Sequence, residues 1–149
     1  MEREKMIYKP SHSVILDSSV VIKWFRRYEI LYKQAIELRQ SYLDGDLFII
    51  VPDILIYEIA NVLRHKPDMN PSKVQQAVQS LFDMGIEIQH IGLDIIEKGI
   101  TIAYIYDITV YDAAFVAFAE SLEIDLITAD EKLVQKLNNF PNIHYLGTR

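Results

Sequence analysis

The stretch SVILDSS at residues 13–19 decides the fold, because an apolar run of strand length ends there at an acidic residue and a polar turn. Continuous runs of this kind are typical of strands that are covered on both faces. Similar runs alternate with helical patterns along the chain, which predicts a parallel sheet. The predicted strands are Ser13–Leu16, Leu47–Val51, Ile86–Ile91, Ile124–Thr128 and Ile143–Leu146.

The helical segments carry recognisable end signals. We predict helices over residues 20–28, 31–43, 52–65, 71–84 and 131–137. Pro52 is typical of a first helical turn, Asn70-Pro71 indicates a second start, and Gly85 indicates a stop. Asp94 and Glu97 have the spacing of a capping box at the start of a further helix.

The composition narrows the class of protein. The chain has 149 residues, 50% of them hydrophobic, which predicts a single folded domain. The absence of Cys excludes disulfides and thiolate zinc sites. The first residues lack the apolar segment of a secretory signal, and no apolar window approaches the ~18 residues of a membrane span. We therefore expect a cytoplasmic protein that does not enter a membrane.

Three acidic residues lie where a strand or loop turns into a helix. Asp17 follows the first strand, Asp112 opens the segment Tyr111-Asp112-Ala113-Ala114, and Asp130 follows Leu126-Ile127-Thr128. Each has an ordinary structural explanation. Asp17 lies in a polar strand-to-helix turn that Ser18 or Ser19 can cap, Asp112 has the spacing of a capping box, and Asp130 suits an N-cap. However, the carboxyl edge of a parallel sheet is also where ligands bind in such folds.

Glu58 is more difficult to explain structurally. It projects onto the apolar stripe formed by Leu55, Ile59 and Val62. A carboxylate on that face must be paired, protonated or bound to a metal. If Glu58 meets the three aspartates, the four carboxylates repel one another, by about 4 kcal/mol for a pair ~4 Å apart. A bound cation relieves this repulsion, and oxygen ligands without Cys favour Mg²⁺ or Mn²⁺.

Positive charge is locally concentrated although the formal net charge of the chain is -6. Lys23, Arg26 and Arg27 share one face of the first predicted helix, close to Asp17. The ordinary interpretation is a solvated helix face. The functional interpretation is an RNA-binding surface that contacts phosphates beside the acidic residues.

The order and spacing of the acidic residues resemble a PIN domain. The matching segments are Val14–Phe25, Pro52–Asn61, Thr109–Ala114 and Leu126–Asp130. The resemblance extends over about residues 13–146, and the subgroup that the chain resembles is the VapC-type toxins of prokaryotic toxin–antitoxin pairs.

The resemblance implies a three-layer α/β/α sandwich around a parallel sheet of about five strands, in one domain over residues 1–149 with residues 1–12 as a peripheral extension. It also implies a Mg²⁺- or Mn²⁺-dependent ribonuclease, a homodimer, and a cognate antitoxin whose C-terminal segment occupies the active-site groove. The implied metal ligands and catalytic residues are Asp17, Glu58, Asp112 and Asp130, with Ser19, Asn61 and Thr128 orienting them.

We therefore predict a metal-dependent endoribonuclease, the toxin of a type II toxin–antitoxin pair. Alternatives are a PIN nuclease in RNA maturation, or a non-catalytic RNA- or protein-binding domain in which the carboxylates only cap helices. A phosphotransfer enzyme fits less well. Haloacid-dehalogenase-type phosphatases have a second Asp where this chain has Ser19, and the acidic pair and Lys of receiver domains are not evident.

Overall fold

The computed structural model describes residues 12–148 and contains a five-stranded sheet, flanked by helices, in which every neighbouring pair of strands is parallel. The strands are β1 (Ser13–Leu16), β2 (Phe48–Pro52), β3 (Glu87–Gln89), β4 (Asp125–Thr128) and β5 (Ile143–Tyr145). The predicted α/β/α sandwich is confirmed. The predicted N-terminal extension, apart from its last residue, lies outside the described residues.

The strand order β3-β2-β1-β4-β5 defines where a site can form. The chain moves outward from β1 through β2 and β3, then crosses back to place β4 on the other side of β1. The carboxyl ends of β1 and β4 are therefore the topological switch point, where open α/β sheets bind ligands. The helices that cover the sheet are α1 (Ser18–Val21), α2 (Tyr32–Leu43), α3 (Ile54–Arg64), α4 (Pro71–Asp83), α5 (Leu93–Tyr106), α6 (Val110–Leu122) and α7 (Glu131–Lys136).

The core lies on both faces of the central strand. Val14, Ile15 and Leu16 of β1 have no exposed surface, and Phe115 and Phe118 of α6 are almost completely buried. Full burial of an aliphatic side chain stabilises the fold by about 1.5–3 kcal/mol, so these residues fix β1 at the centre. In the described part of the chain, no single helix is long and apolar enough to span a membrane; only the bent pair α5–α6 has the required composition.

The first helix differs from its prediction. A continuous helix over residues 20–28 was expected, but α1 has only four residues and is followed by a 3₁₀ turn over Ile22–Phe25. The run of β-branched residues Val20-Val21-Ile22 explains this, because such side chains have low helix propensity. The cap is Asp17 rather than Ser18 or Ser19. Lys23, Arg26 and Arg27 therefore do not share the face of one helix.

Two other end signals were misread. Pro52 is the last residue of β2, aligned with Gln89 of β3, and α3 begins only at Ile54. The Asp53 N–H donates to the Gln89 carbonyl, so the strand pairing extends past the proline. The capping box at Asp94 is also wrong, because α5 begins after Gly92 and no side chain caps it.

The signals around α4 are confirmed. The Asn70 side chain accepts a hydrogen bond from the Lys73 N–H at 2.9 Å, as an N-cap does. Gly85 follows the helix with a φ of +74°, a conformation that favours glycine. On α3, however, Val62 is not part of the buried stripe, and Leu63 is buried instead.

Candidate active site

Asp17 is held at the switch point by both strands that form it. Its backbone N–H donates to the Ile127 carbonyl of β4 at 3.3 Å, which extends the pairing of β1 with β4. Its side chain accepts from the Ser19 N–H at 3.1 Å and thereby caps α1. The residue is only 5% exposed. Burial, to which the charge of Asp112 adds, raises the pKa of Asp17 to about 6, against the hydrogen bonds from Ser19 and Thr128.

A network of hydroxyl groups joins Asp17 to the end of β4. The Ser19 hydroxyl donates to Asp17 Oδ1 and accepts from the Ala129 N–H at 2.8 Å. Ser19 Oγ also lies 3.2 Å from Thr128 Oγ1, which in turn accepts from the Asp130 N–H at 3.1 Å. Two of the predicted orienting residues, Ser19 and Thr128, therefore contact the acidic positions directly.

Glu58 faces this network from α3, which contacts α1. Its neighbours Leu55 and Ile59 are buried, so the helix face that carries the carboxylate faces the core. Burial, together with the charge of Asp112, raises the pKa of Glu58, while the Ser18 hydroxyl acts in the opposite direction. Glu58 Oε1 is shielded from solvent and accepts no hydrogen bond from any residue in the range 12–148.

Asp112 and Asp130 occupy the first turn and the N-cap of two helices. The Asp112 N–H donates to the Thr109 hydroxyl, which caps α6, at 3.0 Å. Asp130 caps α7 by accepting from the Leu133 N–H at 3.2 Å. The capping interpretation is thus correct for the backbone N–H groups at these two helix starts. It does not account for the half-buried carboxylate of Asp112, which pairs with no Lys or Arg among residues 12–148. Burial, and next the charge of Asp130, raise the pKa of Asp112.

Charge interactions link the four predicted acidic residues through Asp112. The charge of Asp112 raises the pKa of both Asp17 and Glu58, and Asp130 in turn raises that of Asp112. Among residues 12–148, no three His, Asp or Glu side chains stand in a closed metal-binding arrangement.

The residues fit a divalent cation by their chemistry. All four side chains offer carboxylate oxygens, which Mg²⁺ and Mn²⁺ prefer. Buried polar atoms almost always have a partner in native proteins, and Glu58 Oε1 has none in the described chain. A cation would give this oxygen a partner and would compensate the charges that raise the three pKa values.

The remaining predicted site residues lie elsewhere. Asn61 is exposed and lines a groove between α3 and α4, with no hydrogen bond to Glu58. Lys23 is 8% exposed, and its amine lies 3.6 Å from a Glu29 carboxylate oxygen. Arg26 pairs with Asp68 at 2.9 Å. Of these three predicted cations, only Arg27 has no acidic partner among the described residues. Its guanidinium lies 5.1 Å from the centre of the Tyr28 ring.

Three further residues near the carboxylates were not predicted. Ser18 approaches Glu58, whereas the sequence indicated only a possible cap. Lys132 and Lys136 line a cleft together with Asp112 and Asp130. Their spacing of one helical turn directly after Asp130 was a signal that could have been used.

The chain belongs to the PIN domain family, whose sequence pattern matches residues 14–137. No curated protein sequence matches the chain. The fold is also similar to solved structures at low sequence identity. VapC20 of Mycobacterium tuberculosis, a toxin that cleaves the sarcin–ricin loop, has a TM-score of 0.67 at 13% identity, over 82% of this chain and 93% of that one.

Two other solved structures have the same fold. VapBC-1 from nontypeable Haemophilus influenzae has a TM-score of 0.63 at 17% identity, over 89% of this chain and 96% of that one. PAE2754 from Pyrobaculum aerophilum has a TM-score of 0.65 at 18% identity, over 92% and 91%. At these identities the similarity establishes the fold.

Proposed function

We propose that this PIN domain is a metal-dependent endoribonuclease that hydrolyses RNA phosphodiester bonds as the toxin of a toxin–antitoxin pair. The observation that carries the proposal is the group of Asp17, Glu58 and Asp112, three carboxylates with raised pKa values at the switch point of the sheet. Helix capping alone requires neither their burial nor their proximity. The toxin role is supported by the similarity to toxins of this kind.

In the proposed site, Asp17 and Asp112 are the principal ligands of one or two Mg²⁺ or Mn²⁺ ions, and Glu58 and Asp130 complete the pocket. The cation supplies charge compensation and polarises a phosphoryl oxygen. Ser19 and Thr128 fix the orientation of Asp17 through the hydroxyl network. The Thr109 cap fixes the first turn of α6, and with it Asp112.

In the proposed mechanism, Glu58 acts as the general base. Its raised pKa brings the carboxylate closer to the working pH, where proton acceptance is most effective. A water in contact with the Glu58 carboxylate transfers its proton to that carboxylate and attacks phosphorus. The bond between phosphorus and the leaving ribose oxygen then breaks on the opposite side, and that oxygen takes up a proton from solvent.

The test of this function is cleavage of total RNA by the purified protein, with Mn²⁺, with Mg²⁺ and with excess EDTA, followed by mapping of new 5′ ends. We expect discrete new ends that need added metal. Undiminished cleavage in EDTA would contradict the metal-dependent site. Specific Mn²⁺ binding in calorimetry without any cleavage would favour the non-catalytic binding domain.

We propose that the antitoxin binds in the groove between α3 and α4, whose lining includes Tyr57, the residue before Glu58 in the chain. The groove has a volume of about 720 Å³, and its lining includes Tyr57, Asn61, Arg64 and Met69. Tyr57 is 73% exposed, and such a side chain is a common anchor at protein interfaces. Tyr57→Ala should weaken the complex with a small protein encoded next to this gene, and an unchanged affinity would exclude this groove.

A second copy of the chain is proposed to bind along α5. Leu93, Ile96, Ile100 and Tyr104 form one exposed apolar stripe at helical spacing, and a two-fold axis can place such a stripe against itself. Ile100→Asp should shift the protein from dimer to monomer in sedimentation. The matched control is Thr101→Asp, on the exposed side of the same helix but away from the stripe. Equal behaviour of the two variants would argue against this interface.

A further inference from the structure

One cleft joins the acidic residues to two lysines that neither the sequence nor the family resemblance indicated. The cleft has a volume of about 410 Å³ and lies between the start of α6 and α7, where its lining includes Asp112, Asp130, Lys132 and Lys136. The two lysines are one turn apart on α7 and therefore lie on the same face of that helix. Leu133 between them is 4% exposed, so α7 is anchored to the core and its lysines have a fixed position.

Neither of the two lysines forms an ion pair among residues 12–148. Lys136 Nζ donates to the Asp107 backbone carbonyl at 2.7 Å, a neutral acceptor that positions the ammonium group without compensating it. Neither lysine has a carboxylate within 4.0 Å in the described part of the chain. By contrast, Lys23 and Arg26 near the first helix have acidic partners in Glu29 and Asp68.

This difference bears on how a polyanion reaches an acidic site. A cluster of carboxylates repels a phosphate backbone unless local positive charge attracts it. Of the cations that lie near the acidic residues, Lys132 and Lys136 line the same cleft as two of the carboxylates. Of the three cations first considered for this role, Lys23 and Arg26 already have carboxylate partners.

We propose that Lys132 and Lys136 hold a phosphate of single-stranded RNA adjacent to the one that is cleaved, so that the RNA backbone enters the site along α7. The proposal rests on the ribonuclease function proposed above. Contacts to phosphate position a substrate without reading its bases, so these lysines set the affinity and salt dependence of RNA binding rather than the cleavage sequence.

The experiment uses Lys132→Ala, since Lys132 is exposed and its loss leaves the Lys136–Asp107 contact intact. Binding of a fluorescent single-stranded RNA is measured by anisotropy at several salt concentrations, in an Asp112→Asn background that prevents cleavage. We expect the slope of log affinity against log salt to decrease in magnitude by about 0.7, the contribution of one phosphate contact. At fixed salt, the affinity should decrease about fivefold.

A kinetic measurement separates this role from a structural one. In the active protein, Lys132→Ala should raise KM about fivefold with kcat nearly unchanged, because a contact made equally in the ground and transition states affects only KM. Lys132→Arg should restore the wild-type KM. The matched control is Lys33→Ala, an exposed lysine on α2 that does not line the cleft.

The outcomes distinguish this inference from the proposed function. If the wild type cleaves RNA and Lys132→Ala behaves as Lys33→Ala in both salt slope and KM, the path along α7 is wrong and the nuclease stands. If the wild type binds RNA without cleaving it, the salt slope alone decides whether Lys132 contacts the backbone. If the wild type neither binds nor cleaves RNA, both proposals are wrong.

Discussion

Two groups of charged side chains in this molecule have opposite surroundings: one is paired with opposite charges, and the other lies beside like charges. In the cluster around Glu29, the carboxylate lies 3.6 Å from both Lys23 and Arg26 and 3.8 Å from Lys66, so opposite charges face one another. At the carboxyl edge of β1 and β4, carboxylates face other carboxylates, and the pKa values of Asp17, Glu58 and Asp112 are raised.

The difference distinguishes charges that serve the fold from charges that need a ligand. A paired cluster is complete within the chain, as the lowered pKa of Asp68 beside Arg26 shows. An unbalanced cluster costs stability in the free protein, and that cost is recovered only when a cation binds. Removing a charge should therefore have opposite consequences in the two regions.

The largest effect is expected from Asp112→Asn, because Asp112 is the common neighbour of the other three carboxylates. We expect RNA cleavage to fall about 10³-fold, equivalent to about 4 kcal/mol of transition-state stabilisation. The Asp112 N–H remains available to Thr109, so the fold should persist. The measurement is the single-turnover cleavage rate with saturating Mn²⁺, together with circular dichroism.

The matched control for that variant is Asp94→Asn, in the first turn of α5, where the carboxylate is exposed. It should retain the wild-type rate. A cleavage rate of Asp112→Asn within tenfold of the control would mean that Asp112 is only a first-turn residue of its helix.

Asp17→Asn is expected to stabilise the metal-free protein at alkaline pH. The pKa of Asp17 is 3.8 in a model compound and about 6 in the fold. Between these values the folded state binds more protons than the unfolded state, so its stability falls as pH rises through that window. Above it, the ionised carboxylate costs up to about 3 kcal/mol, which the neutral amide avoids.

This prediction is tested by urea unfolding in EDTA at pH 4 and pH 8. The variant should be more stable than the wild type at pH 8 and should differ little from it at pH 4. Excess Mg²⁺ should reverse the order at pH 8, because a ligand present at 1,000 times its Kd stabilises the protein that binds it by about 4.1 kcal/mol. Lower stability of the variant at pH 8 in EDTA would show that other groups of the chain compensate the cost of burying the ionised Asp17 carboxylate.

The positions of the acidic residues could be predicted from sequence because each depends on a local pattern. The end of an apolar strand run locates Asp17 and Asp130, and helical periodicity places Glu58 on the face that carries Leu55 and Ile59. Parallel strands then bring their carboxyl ends to one edge. None of these steps needs knowledge of contacts between distant residues.

What sequence reasoning missed depends on such distant contacts. Arg26 pairs with Asp68, which lies 42 positions further along the chain, and no periodicity reveals this contact. The cleft that includes Lys132 needs the loop before α6 and the start of α7 to face each other. Pro52 was assigned to a helix because its pairing partner Gln89 lies on a strand 37 positions away.

Glu29→Gln is the counterpart of Asp17→Asn in the paired cluster, and its effect should have the opposite sign. The side chain of Lys23 is 10% exposed, and loss of the Glu29 charge leaves its ammonium group nearly buried without an anion. Because Glu29 itself is 32% exposed, we expect a loss of about 1–2 kcal/mol, below the value for fully buried pairs. Urea unfolding at pH 7 measures it.

Asp68→Asn is the control within the same cluster, since its side chain is 64% exposed and its partner Arg26 also faces Glu29. It should change stability much less than Glu29→Gln. If both variants were as stable as the wild type, the ion pairs would contribute nothing measurable to the free energy of unfolding. The contrast between the two regions would then depend only on the carboxylates at the edge of β1 and β4.

The smallest effect is expected from Arg27→Ala, which tests the remaining cation of the predicted RNA-binding surface. Arg27 is exposed and contacts the ring of Tyr28, so its removal should change the free energy of unfolding by less than about 0.5 kcal/mol. If RNA enters along α7, Arg27→Ala should weaken RNA binding less than Lys132→Ala does under the same salt conditions. The reverse order would place the RNA backbone over the segment that follows the 3₁₀ turn. Of Lys23, Arg26 and Arg27, only Arg27, which lies in that segment, pairs with neither Glu29 nor Asp68.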